Sequence, residues 1–267
     1  MRLKATRDTG HAVAAVLSDA NWVVSLVDSN EIQGQEAAAK IRASFHRADI
    51  RDWASLSTAF DQTVHKHGRL DFVFANAGVT DPRMFYDSHS STPPPEPDFS
   101  LLDINLKGTV NTAYLAQHYF RVTRQALQQG VRDYDPSLIF TSSIAALTAI
   151  PEVPIYSAAK SGIVAFAHAI APPFFQKDGI RVSSICPGRV MTPKRLLSGG
   201  ASQGQIVPME MVCEAVLALL KQDGGFDRCL KILPDGISDV ETPSLNNNKS
   251  QELSRSEERD KAHQGQN

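Results

Sequence analysis

Tyr156 and Lys160 stand four residues apart in the stretch YSAAK. On a helix that spacing places both side chains on one face, roughly 6 Å apart at Cβ. An ammonium beside a phenol favours the phenolate and draws the phenol pKa down from ~10 toward the range of a general base. A tyrosine four residues ahead of a lysine is a common surface pair when it stands alone. Here it does not stand alone. Ser143 lies 13 positions before Tyr156, at the end of the apolar run SLIFTSS, and active-site residues of open α/β sheets collect at strand ends. Ser142 is the adjacent competitor, and the spacing favours Ser143. Asn105 lies upstream in the helical stretch LLDINLKGT.

Positioning such groups requires a sheet with covered faces. Short apolar runs at residues 22–28 (WVVSLVD), 70–75, 137–141, 180–186 and, more weakly, 230–233 read as strands. Runs apolar on both faces suit a parallel sheet buried between helices. Between them, helical spacing marks residues 10–20, 53–64, a long segment at 101–127, residues 155–175 with a break expected at Pro172 and Pro173, and residues 209–220. Strand and helix alternate, so the fold class is α/β: one doubly wound parallel sheet flanked by helices, with no repeat and no second domain. The domain spans residues 1–241. Residues 80–97 (with STPPPEP) read as a polar loop, residues 194–207 as a Gly-containing lid, and residues 242–267 as a disordered polar tail with cancelling charges.

Composition agrees with one globular domain: 267 residues, 42% hydrophobic and 21% charged. The 27 Lys+Arg against 29 Asp+Glu leave a net charge of −2, which argues against a basic nucleic-acid binder. Three scattered cysteines suit neither a disulfide framework nor a zinc site, and Cys186 reads as a small core residue. The eight histidines form no ligand pattern, so no metal is expected. Without an apolar run of membrane length or a secretory signal, the expectation is a cytoplasmic protein that binds neither membrane nor nucleic acid.

The motifs taken together resemble one family. Asn76-Ala77-Gly78 follows a strand, Asn105 sits in a helix, Ser142-Ser143 precedes the Tyr156/Lys160 pair, and a strand ends in Cys186-Pro187-Gly188 with Thr192 four residues on. In order and spacing, from Gly10 to about Gly236, this resembles the short-chain dehydrogenase/reductase family. The wording LVDSNE, KSGIVAF and ICPG is similar to its 15-hydroxyprostaglandin dehydrogenase-like branch. The resemblance implies an enzyme that interconverts a secondary alcohol and a ketone with a nicotinamide cofactor. Tyr156 would be the general acid/base, and Lys160 would tune it and hold the nicotinamide ribose. Ser143 would hydrogen-bond the substrate oxygen, and Asn105 would hold a water leading from Lys160 to solvent. Asn76, Ala77 and Gly78 would admit the cofactor, Asp49 and Ile50 would meet its adenine, and Pro187, Gly188 and Thr192 would line its carboxamide. Asp28 would accept bonds from the adenosine ribose and repel a 2′-phosphate, which favours NAD over NADP, and Ser29 in place of an arginine agrees. The partner is a small alcohol or ketone, and the resemblance further implies a homodimer or homotetramer.

The beginning of the chain departs from this pattern. The family's TGxxxGxG loop lets backbone amides approach a pyrophosphate at a helix N-terminus. Gly10, 18 residues before Asp28, matches its last glycine, but Lys4 and Asp8 occupy the first two glycine positions and Leu3 that of the threonine. The strand that opens the family fold, flanked by two others, is missing or degenerate. Its loss is expected to leave two strand edges unpaired beside a groove. The alternation in MRLKA offers a short substitute with one polar face. Two rival readings follow: a dehydrogenase-like binding or scaffold protein with impaired cofactor binding, or an incomplete gene product.

Overall fold

A computed structural model describes residues 9–80, 85–87, 90–127, 134–190, 206–221 and 225–241. Helices α1 (Thr9–Asp19), α2 (Glu31–Lys40) and α3 (Trp53–His67) alternate with strands β1 (Ser25–Asp28), β2 (Ser44–Arg47) and β3 (Phe72–Ala75). A helical turn α4 (Ser100–Leu102) leads through a π-helical turn at Asp103–Lys107 into α5 (Gly108–Ala126). The chain continues through β4 (Ser137–Thr141), α6 (Pro154–Asp178), β5 (Arg181–Pro187), α7 (Met209–Leu220), β6 (Arg228–Leu233) and β7 (Gly236–Asp239).

Strands β3, β4, β5 and β6 form a parallel sheet, closed at one edge by antiparallel β7. Strand β5 is buried along its whole length, and β4 along all but its last residue. Alternate residues of β4 serve opposite layers, as the pleat requires. Leu138 and Phe140 join Leu56, Phe120, Ile163 and Ala167 beneath α3, α5 and α6. Ile139 joins Val13, Leu17, Ile185, Val212 and Val216 beneath α1 and α7. This is the doubly wound sheet expected from runs apolar on both faces.

Local chemistry sets the element ends. The Asp52 side chain accepts the Ser55 N–H at 3.0 Å and caps α3, and Gly68 ends that helix in a left-handed conformation (φ 76°). Replacing Asp52 by Ala is expected to lower stability by about 1 kcal/mol; a urea melt of the two proteins checks it.

Three expectations need correction. The break at Pro172 and Pro173 does not occur, because α6 runs through both to a left-handed Gly179. Each proline removes one N–H, but Ala171 is fully buried while Ile170 and Phe174 pack on the core, and that packing offsets the lost bonds. The single helix expected at 101–127 is interrupted by the π-turn. Strands β2 and β7 escaped the apolar pattern because each has only four residues with little buried surface. The strand expected from residue 22 begins at Ser25.

Among the described residues, strands β1 and β2 pair with each other as a two-stranded parallel sheet, and neither has a ladder to β3. Between β1 and β3 lies a cavity of about 790 Å³. Strand β3 has three of its four residues only half-buried, and Val27 of β1 is 38% exposed. The MRLKA stretch, the tail at 242–267, Thr192 and most of the lid lie outside the described residues. The described parts of the 80–97 loop hold no helix or strand. Among the described residues no helix is long and apolar enough to cross a membrane.

Candidate active site

Helix α6 carries Tyr156 and Lys160 on one face, with Lys160 Nζ 5.7 Å from the Tyr156 ring centroid. The Lys160 side chain is almost fully buried and donates to the Thr141 carbonyl at 2.8 Å, which ties α6 to the end of β4. Burial pulls its pKa down to about 8, against a smaller upward pull from Cys186.

The two adjacent serines differ in what they do. Ser142 donates its hydroxyl to the Lys160 carbonyl at 2.8 Å and is a strut between β4 and α6. Ser143 caps the short 3-10 turn at Ile144–Ala146 by accepting the Ala145 N–H at 3.2 Å. That bond uses the Ser143 oxygen and leaves out the hydroxyl proton.

Asn105 sits fully buried in the π-turn. Its Oδ1 accepts the Val79 N–H and its Nδ2 donates to the Val79 carbonyl, both at 2.8 Å, so it clamps the chain leaving β3. Gly78 fits between Asn105 and Lys160. A Cβ there would stand 3.2 Å from Asn105 Oδ1 and 3.3 Å from Lys160 Nζ, tighter than side chains ordinarily pack. A π-turn inside a helix recurs at functional sites, and here it carries a site residue.

The cofactor-side residues gather around the tips of the strands. Gly10, at the start of α1, faces Asn76, whose Nδ2 would lie 2.8 Å from any Cβ at that position. Asn76 Oδ1 accepts the Thr141 hydroxyl at 2.9 Å. Asp28 ends β1, largely buried, and accepts the Asn30 N–H at 2.7 Å. Ile50 packs closely against Gly108. Gly10, Asp28, Ile50, Asn76, Ala77 and Gly78 all line the cavity beside β1 and β3. Asp49 faces a smaller cavity with Ser29, and its carboxylate is paired with Arg51 at 2.6 Å, which holds it below the usual carboxylate range. Pro187 ends β5, and the Gly188 N–H donates to the Ile232 carbonyl at 2.8 Å. Ser143, Tyr156, Lys160, Pro187 and Gly188 are not part of the large cavity's lining. Gly78 connects the two groups, since it lines the cavity and touches Asn105 and Lys160.

The family model described as short chain dehydrogenase matches residues 5–196. The chain belongs to the short-chain dehydrogenase/reductase family. It is 40% identical to the short-chain dehydrogenase/reductase prx7 of Penicillium rubens over 226 residues, covering 81% of this chain and 77% of that one. With prx6 of the same organism the identity is 31% over 211 residues, 76% of this chain and 64% of the relative. Among solved structures, it resembles a short chain dehydrogenase from Bacillus anthracis (TM-score 0.70, 20% identity, 85% and 91% of the two chains). It also resembles a 3-ketoacyl-(acyl-carrier-protein) reductase from Brucella melitensis complexed with NADH (TM-score 0.72, 19% identity, 86% and 94%). At those identities the likeness shows a shared Rossmann-type fold. Family membership makes the chain an oxidoreductase by class.

Sequence reasoning passed over Thr141 and the strut role of Ser142. Thr141 holds both Asn76 and Lys160, and its position as last residue of a buried strand was the available signal. Cys186 is fully buried as expected, but its Sγ lies 3.5 Å from Cys229 on the neighbouring strand, a pairing that spacing in sequence cannot show.

Proposed function

We propose that the protein is an NAD-dependent oxidoreductase that interconverts a secondary alcohol and a ketone, with Tyr156 as general acid/base. The observation that carries this reading is the buried Lys160 ammonium beneath the Tyr156 ring, with Ser143 at the adjoining strand end. In alcohol oxidation Tyr156 Oη takes the hydroxyl proton, and in reduction it returns it. The cation on Lys160 favours the ionised phenol. Ser143 donates its hydroxyl proton to the substrate oxygen and steadies charge that develops there. Asn105, next to Lys160 across Gly78, holds the water through which Lys160 exchanges its proton with solvent.

The residues present suit a nicotinamide dinucleotide. Gly10 brings the start of α1 against Asn76, Asp28 offers a carboxylate at the tip of β1, and both line one cavity. Once bound, such a cofactor supplies the hydride acceptor or donor. Asp28, Ile50, Asn76, Ala77, Gly78, Pro187, Gly188 and Thr192 would hold it, with Asp49 beside the adenine. The NADH complex of the Brucella melitensis neighbour is consistent with that choice. Exposed Tyr114 on α5 and Phe175 on α6 suit assembly into a homodimer or homotetramer.

A calorimetric titration with NAD and with NADP tests this reading. NAD is expected to bind and NADP to bind far more weakly. Asp28→Ser should weaken NAD about tenfold, the worth of one charge-assisted hydrogen bond, and narrow the gap to NADP. A cooperatively melting protein that binds neither nucleotide sinks the proposal in favour of a scaffold role.

A further inference from the structure

On the reading that the cavity beside β1 and β3 takes a nicotinamide dinucleotide, we propose that Thr141 is a positioning residue for that ligand. Its hydroxyl holds the Asn76 side-chain amide so that Nδ2 is the end presented to the start of α1. Thr141 is the last residue of β4, and Asn76 follows the last residue of β3. Ala75 pairs with Phe140, so Asn76 and Thr141 stand one step beyond that pair, side by side at the tips of neighbouring strands. Side chains alternate between the two faces along a strand. Phe140 belongs to the layer beneath α3, α5 and α6, and Ile139 to the layer beneath α1 and α7. Thr141 shares the face of Ile139, which brings its hydroxyl to the α1 side of the sheet.

The Thr141 hydroxyl donates to Asn76 Oδ1 at 2.9 Å. A side-chain amide carries its acceptor at one end and its two N–H donors at the other, so a bond that occupies Oδ1 settles where the donors point. They point toward Gly10, since a Cβ at that position would stand 2.8 Å from Nδ2. Gly10 and Asn76 both line the cavity, and Gly10 lies in the first turn of the 11-residue helix α1. The first amides of a helix and the positive end of its dipole favour an anion there. An N–H donor beside them adds a charge-assisted bond to a phosphate, whereas an amide oxygen turned the same way would repel it. The other contact of Thr141 runs to α6, where its main-chain carbonyl accepts Lys160 Nζ at 2.8 Å. That bond does not involve the side chain, so substitution can separate the hold on Asn76 from the hold on Lys160.

The test is a calorimetric titration of the full chain with NAD, comparing wild type with Thr141→Val, Thr141→Ala, Thr141→Ser, Asn76→Ala and the double variant Thr141→Val/Asn76→Ala. Valine and alanine remove the hydroxyl, and serine keeps it. Thr141→Val and Thr141→Ala are expected to weaken NAD about tenfold, while Thr141→Ser stays within about twofold of wild type. Asn76→Ala is expected to cost about tenfold as well. Because Thr141 acts through Asn76, the double variant should bind about as well as Asn76→Ala alone, about tenfold below wild type rather than about a hundredfold. Equal losses in the valine, alanine and serine variants would trace the effect to packing and overturn the proposal. Losses that multiply in the double variant would show two independent residues and overturn it likewise. Wild-type affinity in Thr141→Val, beside an intact response of wild type to NAD, overturns it while the cofactor reading stands. A wild type that binds no NAD overturns both.

Discussion

Tyr156→Phe is expected to lower kcat by a factor of about 10³ while leaving nucleotide affinity and Tm nearly unchanged. The substitution keeps the ring that stands over Lys160 and removes only the hydroxyl, so packing on α6 is preserved. General acid/base groups contribute typically 10²–10⁴-fold. The measurement is steady-state turnover of a secondary alcohol or ketone with the better-bound nucleotide, beside a thermal melt. A variant with kcat within a few-fold of wild type would remove Tyr156 from the chemistry. A variant that loses activity and melts far lower would point to a structural role for the hydroxyl.

Lys160→Met should act in opposite directions on activity and on one component of stability. Turnover is expected to fall by a factor of about 10² or more, because the cation beneath Tyr156 is gone. Burial brings the Lys160 pKa in the folded chain to about 8, from the ordinary 10.5. Between those pH values the unfolded chain still holds the proton that the folded chain has released, so wild-type stability rises with pH through that window. Below pH 8 the charge is buried in the folded state, at a cost of about 3 kcal/mol. The methionine side chain carries no such cost, offset by about 1–3 kcal/mol for leaving the Thr141 carbonyl without its donor. The distinguishing readout is the difference between the two proteins' unfolding free energies from pH 7 to pH 10.5. That difference should move toward the wild type by about 3 kcal/mol as pH rises. A difference independent of pH would show that Lys160 titrates normally.

Much of the candidate site was legible because it is local. The four-residue step from Tyr156 to Lys160 fixes a shared helix face whatever surrounds it, and the apolar runs at 137–141 and 180–186 have no polar face to turn toward water. The end of α7 and the start of α3 fell where helical spacing put them. Spacing also located the departure at the start of the chain: counting back from Asp28 matches Gly10 to the last glycine of the family's opening loop and puts Lys4 and Asp8 where its other two belong. The course of α6 through Pro172 and Pro173 was not legible, since proline's local penalty is visible in sequence but the packing of Ala171 and Phe174 that outweighs it is not. Strands β2 and β7 were missed for a related reason, as four residues carry too little pattern to register.

By itself, the sequence determined the fold class, the family and the candidates for proton transfer, because periodicity, spacing and motif order are properties of the chain alone. Tertiary structure decided how those candidates are used. It set Ser142 as a strut and left the Ser143 hydroxyl proton out of the cap, turned the Asn105 amide onto Val79, and sank Lys160 deep enough to shift its titration. Each of these depends on which groups from distant parts of the chain meet and on how much water they exclude, and neither quantity is written in any single stretch of residues.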